Sequence, residues 1–294
     1  YEQRAVVKNE KRQGELGPGQ AAEAQFLRGY YPPGHPYAHT TIGSMEDLDR
    51  ATVEDVKAWF AANYGASNAV LVLAGDIDVA TAREKAARYF GGVRQGEPIS
   101  RPALWTPPMT DIRRDVVYEN IPVAVLTRTW PLSTAASRDN TLLQLAARSL
   151  AGGKGTPLHD ALVEDMDLAS SVSASVNEGQ LAGAFSLSVE LKPGIEPEAA
   201  EAAIDQVLTD FYEKGPSVER LETVASATDL SLLRMLEDSA AIGAWLAEGE
   251  TTRGDPTYFL KQRDWIQSPS RDEIRAKIAR TLSRSYYELV QRPA

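Results

Sequence analysis

The sequence predicts an α+β fold in which helices pack on one face of antiparallel sheets. Residues 112–119 and 123–129 form one pair of β-prone runs, and residues 169–176 and 182–191 form a second pair. Helical patterns follow each pair instead of alternating with single strands. Runs of strands followed by runs of helices are typical of α+β domains. Each pair is therefore expected to form a hairpin.

Capping residues and helical spacing predict most of the helices. Thr52 precedes the acidic residue Asp55 by three positions, and apolar residues follow at helical spacing, which predicts a capped helix ending near Tyr64. The charged residues 1–16 fit an amphipathic helix that stops at nearby glycines. Further helices are predicted over residues 80–90, 138–150, 157–166, 197–214 and 218–246, and after the capping box of residues 270–273.

The apolar run of residues 69–74 predicts a buried strand. It is continuous, rich in valine and leucine, and closed by Gly75 and Asp76. Short β-prone runs of this kind are typical of strands that are covered on both faces.

A proline-rich segment predicts the boundary between two domains. Residues 97–108 contain four prolines among polar residues, a composition typical of linkers. A chain of 294 residues also has room for two domains at about 100–200 residues each. The predicted domains are residues 1–96 and residues 109–294.

Composition excludes several classes of partner and site. The chain has 41 acidic and 31 basic side chains, so its net charge of −10 repels phosphate backbones and anionic lipids, and no nucleic-acid partner is expected. It has no cysteine, which excludes disulfides, cysteine zinc sites and thiol nucleophiles. Its apolar runs are far shorter than the roughly 20 residues that span a bilayer, so no membrane span is expected.

The three histidines offer little metal chemistry. His35 and His39 are four residues apart around Pro36, in a loop, so they do not share a helical face as zinc-binding pairs do. Two interpretations of this pair stay open: metal ligands, or an imidazole that bonds the loop backbone. His159 follows Pro157 at a predicted helix start, which favours a cap or surface position.

The glycine-rich residues 152–156 resemble a phosphate loop only superficially. They follow a predicted helix instead of a strand, and they lack the four-residue spacing between glycines. Nucleophile-elbow and dinucleotide-binding motifs are absent from the sequence. Nucleotide binding is therefore not expected.

An ordered series of short segments resembles the pitrilysin/insulinase-type zinc peptidases, which include the mitochondrial processing peptidases. It begins with residues 3–12 and continues over about ninety residues. A weaker resemblance follows over residues 158–169. The later segments of the series are His35-Pro36-Tyr37, Thr41-Ile42-Gly43, Asp47-Leu48, residues 68–72 with Gly75-Asp76, and Tyr89-Phe90-Gly91.

This resemblance implies domains like those of LuxS and the mitochondrial processing peptidases, and a zinc site of which the chain holds one ligand. It places Glu10 at the family's zinc-binding glutamate and Gln3 at a supporting glutamate seven residues earlier. The family's inverted H-x-x-E-H motif would lie before Tyr1, and the first residues lack both methionine and a signal-peptide pattern. Something upstream is therefore expected to be missing. The alternative for Glu10 is a solvated carboxylate paired with neighbouring lysines.

The resemblance also implies that no catalytic residue lies in this chain. The arginine and tyrosine that hold the substrate carbonyl in family members align with Val163 and Ser170, which cannot do so. These residues generally come from the half opposite the zinc-bearing half. A second peptidase half or subunit is therefore an expected partner.

Three functional hypotheses remain open. In the first, the chain is a fragment of a zinc metalloendopeptidase that hydrolyses peptides or small unfolded proteins in a closed chamber. The isolated chain is then expected to be inactive and to bind no zinc tightly, because one ligand is too few for a zinc site. The second is a non-catalytic structural or substrate-binding subunit of the same family. The third is an unrelated α+β binding domain. The resemblance favours a periplasmic over a cytoplasmic location, and an uncovered apolar face is expected to promote self-association.

Overall fold

The computed structural model of the chain describes residues 2–15, 17–98, 100, 102–132 and 137–294. Positions 1 and 16 of the predicted first helix, and positions 99 and 101 of the predicted linker, lie outside these residues. Contacts divide the chain into two compact units, each built from segments that are not consecutive in the sequence. The division into domains of residues 1–96 and 109–294 stays a prediction. Unit 1 comprises residues 1–49, 103–225 and 268–294, and unit 2 comprises residues 50–102 and 226–267.

Unit 1 contains a five-stranded sheet with the strand order β1-β5-β2-β4-β3. β1 and β5 are parallel, and the other neighbours are antiparallel. The α+β class is therefore confirmed, with one parallel pair added to the predicted antiparallel arrangement. The strands are β1 Arg113–Glu119, β2 Val125–Leu132, β3 Ala169–Glu178, β4 Gly183–Leu191 and β5 Tyr287–Pro293.

One of the two predicted hairpins is present. β3 and β4 pair with each other as predicted. The hairpin predicted for β1 and β2 is wrong, because β5 lies between them and bonds to both. β5 comes from the end of the chain, so this pairing depends on contacts that no local pattern signals.

Helices whose capping residues could be identified in the sequence begin close to their predicted positions. Thr52 and Asp55 form the predicted capping box, and Ser270 accepts from the backbone N–H of Glu273. No described helix is both long and apolar enough to cross a membrane. The helices are α1 Glu2–Gly14, α2 Gln20–Tyr30, α3 Met45–Arg50, α4 Val53–Asn63, α5 Val79–Phe90, α6 Arg138–Ala151, α7 Pro157–His159, α8 Pro197–Lys214, α9 Val218–Met235, α10 Ser239–Glu248, α11 Tyr258–Gln267 and α12 Arg271–Leu282, with π-helical turns at Asp160–Asp165 and Gly249–Arg253.

The single helix predicted over residues 218–246 is wrong, because the chain forms two helices there. α9 ends at Met235 and α10 begins at Ser239. The Asp238 side chain accepts from the backbone N–H of Ala240 at 2.8 Å. This cap satisfies a backbone N–H at the start of α10, so a separate helix begins there.

The predicted buried strand at residues 69–74 is also wrong. The segment has no strand assignment, and Val70, Leu71 and Leu73 are 40%, 49% and 47% exposed. Gly243 of α10 lies against Ala74 and Val72, so one side of the segment is packed within unit 2. Among the described residues no strand pairs with its backbone, and a strand requires such a neighbour.

The core of unit 1 lies on both faces of the sheet. On one face α12 contacts β2 and α6 contacts β3, and α12 also packs against α6 and α8. On the opposite face, α2 packs against β1 and β5, where Tyr30 meets Tyr287 and Leu289. The alternation of side chains along β5 explains this: Tyr287 and Leu289 point to one face, and Glu288 points to the other.

A buried ion pair joins β5 to β2. Arg128 Nε lies 2.8 Å from Glu288 Oε2, and the exposed fractions of the two residues are 2% and 3%. Asp205 of α8 accepts a second bond from the same guanidinium, and the Tyr286 ring lies 4.8 Å from Arg128 Cζ. Burial acts to lower the pKa of Arg128, but the bonds to Asp205 and Glu288 outweigh it and raise that pKa. Arg114 of β1 also reaches Glu288, at 3.4 Å.

Replacing Arg128 with Met should destabilise the protein by about 3 kcal/mol, because Glu288 stays a buried charge and keeps only the longer contact to Arg114, at 3.4 Å. The control is Arg138→Met, which breaks an exposed pair with Glu273 and should cost about 1 kcal/mol or less. Urea unfolding followed by circular dichroism measures both. Equal midpoints for the two variants would contradict the role of burial, and the double change Arg128→Met with Glu288→Leu should recover part of the loss.

Candidate functional site

Glu10, the predicted zinc ligand, lies on α1 with an exposed side chain. The lysines near it are engaged elsewhere. Lys8 Nζ lies 2.5 Å from Asp49 Oδ1, and Lys11 Nζ lies 2.9 Å from Glu15 Oε1. Within the described part of the chain Glu10 has no ion pair. The alternative in which neighbouring lysines hold its carboxylate is therefore not observed, and the carboxylate is open to solvent.

Gln3 lies seven residues before Glu10 on the same helix, and its side chain is also exposed. Seven residues make about two helical turns, so the two side chains share one face of α1. An amide at this position can donate a hydrogen bond but adds no negative charge. No group of three histidine, aspartate or glutamate side chains among the described residues is placed to hold a metal ion. The roles of Glu10 and Gln3 stay predictions.

His35 is buried in an aromatic cluster, with 1% of its surface exposed. Its ring stacks on Tyr31 at 4.6 Å between centroids and lies 4.9 Å from the Trp105 ring. The backbone N–H of Tyr37 donates to Nδ1 at 3.0 Å, and Nε2 lies 2.7 Å from the Trp105 carbonyl oxygen. Because Nδ1 accepts, the ring carries its hydrogen on Nε2 and donates it to that carbonyl.

Both ring nitrogens of His35 are thus bonded to backbone groups, which supports the structural interpretation over a metal ligand. His39 is exposed, and its Nδ1 lies 3.1 Å from the carbonyl oxygen of the next residue. Sequence reasoning missed the aromatic cluster, because Trp105 is 70 residues away from His35. The available signal was Phe26 and Tyr30, four residues apart on one face of α2.

His159 ends the short helix α7 and is half-buried. Its Nδ1 lies 3.7 Å from Asp160 Oδ1 and 4.0 Å from Glu164 Oε1, beyond hydrogen-bond distance. Neither carboxylate converges with it on a metal-binding geometry. The helical turns continue past His159 into Asp160–Asp165, and its role as a cap or surface residue stays a prediction.

The two positions aligned with the family's substrate-holding residues lie on different elements. Val163 is half-buried in the π-helical turn after α7, and Ser170 lies in β3. Ser170 Oγ donates to Glu190, with distances of 3.2 Å to the carbonyl oxygen and 3.0 Å to Oε1. Valine has no polar group, and the serine hydroxyl is committed. Neither can stabilise an oxyanion.

The glycine-rich residues 152–156 connect α6 to α7 instead of following a strand. The backbone N–H of Gly155 donates to Asp160 Oδ1 at 2.8 Å, and the Gly155 carbonyl accepts from Arg220. A phosphate loop directs its N–H groups at a phosphate. Here the N–H of Gly155 is bonded to a carboxylate of the chain itself.

Unit 2 presents a cluster of exposed aromatic side chains on α4 and just after it. Trp59, Phe60 and Tyr64 are 56%, 49% and 64% exposed, and their ring centroids lie 4.5 to 5.7 Å apart. Trp59 and Tyr64 line a concavity of about 450 Å³ that also includes Val93. Among the described residues of unit 2, Leu232 and Ile266 are the buried large apolar side chains. Large exposed apolar surfaces are typical of interaction sites.

Comparison with known proteins gives the family context of these features. The model of the peptidase M16 inactive domain matches residues 50–228. The zinc protease PqqE of Helicobacter pylori is 22% identical over 217 residues, which are 73% of this chain and 49% of that protein. The chain thus spans about half the length of this curated relative.

Solved structures share the fold over nearly the whole chain. A protease from Helicobacter pylori has a TM-score of 0.87 at 19% identity, with coverage of 99% of this chain and 70% of that one. The periplasmic protease PqqL from Escherichia coli has a TM-score of 0.75 at 15% identity, with coverage of 100% of this chain and 32% of that one.

These matches confirm the resemblance to the pitrilysin/insulinase-type peptidases. They extend it from the short segments of residues 3–91 to most of the chain. The model of the peptidase M16 inactive domain matches more than half of the chain, so the chain belongs to the peptidase M16 family.

Proposed function

We propose that this chain is part of a zinc metalloendopeptidase that hydrolyses peptides or small unfolded proteins in a closed chamber, and that it is inactive alone. The observation that carries the proposal is the match of residues 50–228 to the inactive domain, preceded by α1 with its open carboxylate at Glu10. The name of the Helicobacter pylori relative, a zinc protease of which the match covers 49%, supports the same function.

Glu10 would supply one carboxylate oxygen to zinc, with the histidine ligands coming from sequence before Tyr1. Zinc with an open coordination position lowers the pKa of a bound water towards 7 and polarises a carbonyl group. Gln3 would donate a hydrogen bond near that ligand. The exposed, unpaired state of Glu10 fits this role, because no lysine has to be displaced before it binds.

A second peptidase half or subunit would supply the groups that hold the substrate. Val163 and Ser170 do not provide them, so the oxyanion must be stabilised from elsewhere. The chain covers 32% of the length of the PqqL structure, which leaves room for such a half in a long polypeptide. The periplasmic description of that protein supports a periplasmic location for this one, with the cytoplasm as the alternative.

A second candidate function is a non-catalytic structural or substrate-binding subunit of the same family. Gln3 favours it, because a glutamine replaces the family's supporting glutamate and removes a negative charge from the surroundings of the metal. The sequence encoded upstream distinguishes the two candidates. An intact H-x-x-E-H motif there supports the peptidase, and a degraded motif supports the subunit.

The isolated chain should bind no zinc tightly at a stoichiometric level, because one carboxylate is too few ligands for a zinc site. Zinc content after gel filtration, measured by atomic emission, tests this directly. One zinc ion per chain that disappears in the variant Glu10→Gln would overturn the expectation.

In the full-length protein, Glu10→Gln should lower zinc affinity and peptide hydrolysis by at least about tenfold, because a neutral amide replaces a charged ligand. The control is Glu15→Gln just after the same helix, whose carboxylate pairs with Lys11, and it should leave both quantities nearly unchanged. Hydrolysis of a fluorogenic peptide and zinc content are the measurements. A full-length protein that binds no zinc and cleaves no peptide would favour the non-catalytic subunit.

The isolated chain should self-associate through the exposed aromatic cluster of unit 2. Trp59→Lys should weaken association, because it places a charge in the apolar surface. The control is Tyr118→Lys, an exposed aromatic of β1 in unit 1. Sedimentation velocity over a range of concentrations measures the effect. A chain that stays monomeric at the highest concentration, or equal effects of the two variants, would contradict it.

A further inference from the structure

Unit 1 contains a cavity of about 430 Å³ that none of the site residues predicted from the sequence lines. It lies where the end of β2, the first turn of α6 and the last turn of α12 come together. All the residues considered belong to the described part of unit 1. The lining residues used below are Pro107, Met109, Leu132, Asp139, Leu143, Lys277, Arg280, Thr281 and Arg284.

One wall of the cavity is cationic. Lys277 and Arg280 are three residues apart, so they share one face of α12, and Arg284 follows just beyond the helix end. Lys277 is already paired with Asp139 of α6. Arg280 and Arg284 are exposed, and among the described residues neither forms an ion pair. Two guanidinium groups are thus available at this wall in a protein whose net charge is −10.

Another part of the lining forms an apolar wall. Pro107 and Met109 come from the segment before β1, Leu132 ends β2, and Leu143 lies in α6. Leu143 is fully buried and Leu132 nearly so, which makes this wall a rigid part of the core. Asp139 also lines the cavity but is paired with Lys277, so the charged groups left at the lining are the two arginines. A cavity with an apolar wall and a few charged groups is typical of a site for an amphiphilic ligand.

We propose that this cavity binds a carboxylate attached to an apolar group, in the form of the C-terminal residue of a peptide. Arg280 and Arg284 pair with the carboxylate, since guanidinium groups bind carboxylates through two parallel hydrogen bonds. The apolar wall takes the side chain of that residue. The peptide as ligand rests on the proposed peptidase function; the recognition of a carboxylate rests on the cavity alone.

A purely structural role explains less of the geometry. A cation in the last turn of a helix interacts favourably with the negative end of the helix dipole, and Arg280 is placed for this. That effect needs neither Arg284, which lies beyond the helix, nor an apolar wall across a cavity. A ligand with both a negative and an apolar end accounts for all three.

The test measures binding of a fluorescein-labelled pentapeptide that ends in leucine, as the free acid and as the C-terminal amide, by fluorescence anisotropy. The acid should bind at least about tenfold more tightly than the amide. The double variant Arg280→Gln with Arg284→Gln should abolish that difference. The control is Arg83→Gln on α5, an exposed arginine of unit 2 outside the cavity, which should keep it.

Equal binding of acid and amide, no binding of either, or an unchanged preference in the double variant would overturn the proposal. Octanoate is a competitor that carries the same chemistry without a peptide. Weaker competition by octanoate than by the unlabelled peptide supports the peptide, and stronger competition overturns that assignment. The assay needs neither zinc nor hydrolysis, so its failure and the failure of the proposed peptidase function are separate results.

Discussion

The position of β5 depends on the buried contact between Arg128 and Glu288, and the rest of unit 1 depends on β5. A charge removed from water needs a partner, and the closest partner of Glu288 is Arg128 of β2 at 2.8 Å, with Arg114 of β1 at 3.4 Å. This fixes β5 beside β2. β5 in turn pairs with β1 and presents Tyr287 and Leu289 to α2 on the opposite face. The strand that carries this ion pair thus also carries the contacts that hold β1 and α2 in unit 1.

The local elements of the fold could be predicted from the sequence, and their pairing could not. Capping residues such as Thr52 and Ser270 act on the next turn of the chain, so their effect is visible in a short window. The partner of β1 is a strand from the end of the chain, and nothing near residues 113–119 indicates it. Residues 69–74 show the same limit, because an apolar run indicates burial only if a neighbouring strand is present.

The candidate site likewise combines residues that the sequence indicates with contacts that it does not. The ordered family segments indicate Glu10, since that inference needs only spacing along the chain. The burial of His35 depends on Trp105, and the cavity near Arg280 depends on residues from β2, α6 and α12. The four-residue spacing of Arg280 and Arg284 is visible in the sequence. Arginines with this spacing can line a cavity or lie on an open helix surface, so the spacing alone does not distinguish the two. Only the segments packed against α12 distinguish them.

The bond between His35 and the Trp105 carbonyl joins two segments of unit 1 that are far apart along the chain. Residues 1–49 are held in unit 1 by α2 against the sheet and by His35 against the segment before β1, not by the peptide backbone that leads through residues 50–102. A protease that cut the proline-rich segment near residue 98 would therefore leave the two sides joined. The cut chain would migrate as one particle under native conditions and as two fragments only after denaturation.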